Sequence, residues 1–179
     1  MTEEKYIKQV KRTLVDLGSQ QKNLRHLAMG ISTELNEILD IFKKKFAYSK
    51  DVDINHLAEE IGDTAWYSYN LFNILEKEDK ENFEFQPMGE FESEHSKEKL
   101  KEFFEETITP GNINDAMEGG FYAIRELLLS LCFVYDLDYI KVLQTNIDKL
   151  KERYPDKFDA EKAINRDLKK ENKVLNKKD

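Results

Sequence analysis

Gly and Pro are so scarce in this chain that it has few places to turn sharply. It holds seven Gly and three Pro in 179 residues. An all-β sandwich needs turn residues at intervals of about 8–12 residues, and this chain does not supply them. A Rossmann or P-loop protein needs a Gly-rich phosphate loop, and none is present. Charged residues make up 36% and hydrophobic residues 40%. With Glu, Lys and Leu abundant, the remaining class is all-α. The formal net charge of −8 disfavours non-specific nucleic-acid binding, which needs a basic surface. It leaves room for a phosphate ligand held through metal ions. The single cysteine, Cys132, allows no intramolecular disulfide and fits a reducing compartment. The N-terminal Thr2-Glu3-Glu4-Lys5 has no apolar stretch behind a basic region, which predicts no secretion signal. The most apolar run, Leu127 to Val134, is too short to span a bilayer. The expectation is a cytoplasmic protein with no nucleic-acid or membrane partner.

The length suits one domain with an insertion. Periodicity and caps predict helices over 3–17, ended by Gly18, and over 20–47, with Gly30 inside. A third runs from a cap at Asp53 or Asn55 to about Lys80. Residues 81–96 are acidic and aromatic, without a period, and read as a loop or inserted segment. A short helix over 97–107 precedes a turn at Thr109-Pro110-Gly111-Asn112. The next helix spans about 114–135, with Gly119-Gly120 as a weak point. Another runs from a cap at Asp138 to Arg153 and ends at Tyr154-Pro155-Asp156. A final helix from Asp159 leads into a Lys-rich tail. One domain therefore covers 1–172, with an insertion at about 77–122 and a tail at 173–179.

The informative feature is where certain acidic residues fall on their helices. At 100° per residue, Ile31, Leu35, Ile38, Ile41 and Phe42 form one apolar arc. Glu34 lies inside it and Glu37 at its edge. On the next helix Leu57, Ile61, Ala65, Phe72 and Leu75 define the apolar face. Glu60 points between Tyr67 and Leu71, and Asp63 flanks it on the same side as Ile74. Two helices thus each aim a carboxylate pair at i and i+3 inward, as Glu34-x-x-Glu37 and Glu60-x-x-Asp63, with 22 residues between the pairs. Burying like charges without partners is costly. Either Lys or Arg from another helix offsets them, or a divalent cation does. Oxygen-only ligands suit Mg²⁺ or Mn²⁺ and not Zn²⁺. A di-iron carboxylate bundle needs Glu-x-x-His on two helices. The chain has three His, and Asp53-x-x-His56 falls at a helix start.

The stretch His26-Leu-Ala-Met-Gly30-Ile-Ser-Thr-Glu34-Leu-Asn-Glu37-Ile-Leu-Asp40-Ile-Phe-Lys43-Lys44 resembles the first motif helix of MazG-like all-α nucleoside triphosphate pyrophosphohydrolases. Glu59-Glu60-Ile-Gly62-Asp63-Thr-Ala-Trp66-Tyr67 resembles the family's second motif. Asn146-Ile-Asp-Lys149-Leu-Lys-Glu-Arg153-Tyr154-Pro155-Asp-Lys-Phe158 is similar to its C-terminal basic motif. The matches cover roughly residues 22–76 and 127–168. Asn36 stands where many relatives carry Gly, and residues 77–122 exceed what compact members need.

The resemblance implies an all-α helical bundle, with a four-helix core plus the inserted segment, that completes its site as a homodimer or higher oligomer. The activity it implies is Mg²⁺-dependent hydrolysis of a (deoxy)nucleoside triphosphate to the monophosphate and pyrophosphate, in nucleotide-pool control or house-cleaning removal of non-standard nucleotides. Mn²⁺ is an alternative cofactor. Glu34, Glu37, Glu60 and Asp63 are the expected metal ligands, and Glu37 also the expected general base. Lys44, Tyr67, Asn146, Lys149 and Arg153 are expected to contact substrate. Asn146, Lys149 and Arg153 share one helix stripe, where the two cations would hold outgoing pyrophosphate. Glu59 reads as a solvated or outer acid, His26 and Trp66 as structural, and Cys132 as a buried thiol. The alternative is a non-catalytic helical bundle, nucleotide-binding or oligomerising, descended from such enzymes.

Overall fold

A computed structural model describes residues 1–78, 96–155 and 158–159. Every regular element among them is helical: α1 (Glu3–Val10), α2 (Gln20–Tyr48), α3 (Ile54–Glu78), α4 (Lys97–Glu102), α5 (Pro110–Glu118), α6 (Gly120–Val134) and α7 (Tyr139–Arg153). The all-α expectation therefore holds. None of these helices is long and apolar enough to cross a membrane. The expected loop at 81–96, except residue 96, and the final helix beyond Asp159 with its 173–179 tail lie outside the described residues.

The two longest helices, α2 and α3, form an antiparallel pair joined by a short connector. Ser19 caps α2, accepting from the Lys22 amide. Asp53 starts α3, its Oδ1 accepting from the amides of Asn55 and His56 at 3.1 Å. The predicted apolar arc of α2 is buried throughout, as are Leu57, Ile61, Ala65 and Phe72 of α3. α6 and α7 pack on α3, and α1 lies across α3 and α7. Gly30 decides how closely α2 and α3 meet. A Cβ there would stand 2.2 Å from Tyr67 Cε1, so only Gly lets that ring lie against the α2 backbone.

Two helix predictions need correction. The first helix does not reach 17. It tightens into a 3₁₀ turn over Lys11–Thr13 and leaves at an extended Leu14. Thr13 Oγ1 donates to the Val10 carbonyl and accepts from Trp66 Nε1 at 2.9 Å, which ties the helix end to α3. The helix expected over 114–135 is two. Gly120, at φ +75°, takes the left-handed conformation and breaks it. The turn at 109–112 is the start of α5. Thr109 is its N-cap, Pro110 its first residue, and Asn112 closes a capping box. The short helix over 97–107 is present as α4, continued by a π turn over Phe103–Thr107. Its Phe104 is buried and stacks on Phe42.

A buried ion pair fastens α1. Arg125 of α6 is 1% exposed. Its Nε donates to Glu3 Oε1 at 2.7 Å and its other arm to Glu3 Oε2. The Tyr69 hydroxyl also donates to Glu3. Removing one partner strands a buried charge. Glu3→Ala is therefore expected to destabilise the chain by about 3–5 kcal/mol in urea denaturation. Replacing both partners, as Glu3→Leu with Arg125→Met, should recover most of that loss.

Candidate metal and substrate site

The inward carboxylates meet where α2 crosses α3. One oxygen from each of Glu34, Glu60 and Asp63 lies within 4.8 Å of the others. They line a cavity of about 540 Å³ together with Glu37, Glu59, His26, Trp66, Tyr67, Arg153 and Tyr154. Glu60 is 8% exposed, and Glu34 and Asp63 are half-buried. Three oxygen donors from two rigid helices, facing open space, suit a hard divalent cation.

The electrostatics separate the carboxylates into two pairs. Asp63 is neutralised from within the protein. Lys149 Nζ lies 2.7 and 2.6 Å from its two oxygens and 3.2 Å from Glu59 Oε1. Asn146 Nδ2 adds a bond to Asp63 Oδ1 at 2.6 Å, while Asn146 Oδ1 accepts from the Tyr6 hydroxyl at 3.1 Å. Burial alone would lower the Lys149 pKa, but Asp63 and Glu59 outweigh it and raise it. Lys149 thus stays charged.

Among the described residues, no Lys or Arg is in contact with Glu34 or Glu60. Desolvation, and then the neighbouring Glu34 carboxyl, push the Glu60 carboxyl up to about 9. Glu34 is raised too, chiefly by burial. Both carboxyls are thus pushed toward the protonated form. His56 Nε2 stands 3.0 Å from Glu60 Oε1, one helical turn back. Tyr67 borders the same carboxylates, and burial followed by the charge of Glu34 raises its phenol to about 12.

The expected site residues are sorted unevenly. Glu34, Glu60 and Asp63 come together. Glu37 is exposed, lines the same cavity, and lies outside the group of three. Its direction, about 60° from that of Glu34 on the wheel, carries it to the rim. Tyr67 and Arg153 line the cavity. Asn146 and Lys149 do not; both are buried and bound to Asp63 from behind. Lys44 is turned away, paired with Asp40 at 2.5 Å beside Lys43. Trp66 is buried, as expected, and also forms cavity wall. Cys132 is buried, and desolvation raises its thiol to about 12, so it is no nucleophile.

Glu59, expected as a solvated or outer acid, takes the outer place, and its bond to Lys149 is not evident from the sequence. Nor is the place of His56 beside Glu60. The signal was available for Lys149. On α7, Val142, Leu143, Ile147 and Leu150 form the buried face, with Asn146 inside it and Lys149 at its margin. The inward-charge test that found the acids would have found this lysine.

Comparisons with protein-family profiles, with curated proteins and with solved structures gave no match.

The raised Glu60 pKa fixes a sign. Between an unfolded value near 4.5 and a folded value of about 9, the folded state holds a proton that the unfolded state has released. Stability from this group is full below about 4.5 and is lost as pH rises toward about 9. In a chelator, Tm of the wild type should fall across that window. Glu60→Gln should flatten the fall, and a divalent cation should cancel it. A Tm independent of pH over this range would contradict the raised Glu60 pKa.

Proposed function

We propose that the chain is a Mg²⁺-dependent nucleoside triphosphate pyrophosphohydrolase of the MazG-like class. The supporting observation is the convergence of Glu34, Glu60 and Asp63 within 4.8 Å in the wall of a cavity large enough for a nucleotide. Both motif helices supply the donors, as the resemblance implies. Burial and proximity raise the carboxyls of Glu34 and Glu60, and a cation there would relieve their repulsion.

The reaction is attack of water on the α-phosphorus. The bond from that phosphorus to the bridging oxygen breaks, and pyrophosphate leaves with the electron pair. A bound Mg²⁺ or Mn²⁺ supplies neutralisation of phosphate oxygens and a lowered pKa for the attacking water. Glu34, Glu60 and Asp63 would hold that ion. Glu37, at the cavity rim and outside the three, takes the proton from the water. Arg153, lining the same cavity, draws the negative charge of the departing pyrophosphate. Tyr67 offers its ring to the base or sugar, held in place by Gly30 behind it and by His26, 5.7 Å away ring to ring. A second copy of the chain completing the site belongs to the same reading, as does a cytoplasmic role in nucleotide-pool control.

The test is a panel of ribo- and deoxyribonucleoside triphosphates with Mg²⁺, reading both products. Monophosphate and pyrophosphate should appear in equal amounts. Glu60→Ala should lower kcat by about 10²-fold or more, the scale of losing one electrostatic catalytic group. Orthophosphate release, or full activity in Glu60→Ala, would overturn the mechanism. Mg²⁺-dependent nucleotide binding without turnover would leave the non-catalytic bundle.

A further inference from the structure

We infer that Lys149 is a built-in cation standing where a second metal ion would otherwise sit, so that without nucleotide each chain holds one divalent cation. This deepens the reading above and rests on it. Lys149 is 1% exposed, and its ammonium contacts both oxygens of Asp63 and one of Glu59. It approaches from the far side. Lys149 and Asn146 line a separate cavity of about 550 Å³, and Glu59 lines both cavities. The Glu59–Lys149 pair is therefore a partition between the two spaces. A phosphate in the first cavity does not meet the Lys149 ammonium. Arg153, one turn further along α7, is the basic residue of that helix lining the first cavity.

One ion leaves the cluster close to neutral. Glu34, Glu59, Glu60 and Asp63 carry four negative charges when ionised. Lys149 offsets one and a divalent cation two more, which leaves one negative charge. A second ion would either turn the cluster positive or have to expel a buried, hydrogen-bonded ammonium. Carboxylate oxygens each accept more than one partner. Asp63 can thus hold Lys149 behind and a cation in front. Lys149 on this account is a positioning residue, acting through Asp63 and Glu59.

Mn²⁺ binding to the full chain without nucleotide, followed by equilibrium dialysis and electron paramagnetic resonance, tests this. The wild type is expected to bind one ion per chain. Lys149→Met should bind two and should gain more thermal stability from Mn²⁺ than the wild type does. Lys149→Arg, which keeps the charge, should bind one. Two ions on the wild type would overturn the role of Lys149 and leave the hydrolase reading intact. No ion on the wild type would overturn both. An unchanged stoichiometry in Lys149→Met would overturn the inference alone. Should Lys149→Met fail to fold, the wild-type and Lys149→Arg counts decide it.

Discussion

The buried contact of Lys149 with Asp63 and Glu59 joins the fold to the site. An ammonium taken out of water is tolerated only where carboxylates and hydrogen bonds replace its hydration. That requirement holds α7 against α3 in one register. Asn146, one turn before Lys149, fits over Gly62, where a Cβ would stand 3.1 Å from the Asn146 Cβ. The same Asn146 accepts from Tyr6, so α1 is joined to the arrangement as well. Shifting α7 by one residue would turn Lys149 out and leave Asp63 and Glu59 facing each other without a counter-ion.

The other half of the cluster obeys the opposite logic. Glu34 and Glu60 are brought together by helices that the apolar arcs of α2 and α3 lock in place, and among the described residues no lysine touches them. Burial and their proximity raise both carboxyls, and His56 borders Glu60. Local electrostatics there conflict with the packing around them, and conflict of this kind in a cavity wall supports the proposed functional reading. A core selected for stability alone would place apolar side chains at both positions.

The legible parts of the fold were those with a local cause. The arcs Ile31–Leu35–Ile38–Ile41–Phe42 and Leu57–Ile61–Ala65–Phe72 repeat at helical spacing, so sequence sufficed for α2, α3 and their inward carboxylates. The end of α1 was illegible because it depends on Trp66, 53 positions away, bonding to Thr13. The break at Gly120 was seen only as a weakness, since a left-handed residue and a merely flexible one look alike in sequence. Glu37 sat on the boundary of its arc, where a wheel cannot separate buried from exposed. Lys149 was read for its charge and not for its face, which hid the partner of Asp63. Lys44 was read by its place after the motif, while its position one turn from Asp40 favoured a local pair.

The scarcity of Gly bears on the chemistry as well as on the fold. A Gly-rich loop binds phosphate through backbone amides, which carry partial charge and need a special backbone. Long helices have already spent their amides internally, except in the first turn. A triphosphate lying against the flanks of α2, α3 and α7 would therefore be handled by side chains alone. Full charges on side chains repel or attract strongly at the short distances of a buried cavity, so their number must be balanced. Four carboxylates, one buried ammonium and one cavity-facing guanidinium form a set of net negative charge, which under the proposed reading a divalent cation would balance. Because every member sits on a helix packed against the others, the set is arranged before any ligand arrives, which is the condition for electrostatic stabilisation of a developing charge.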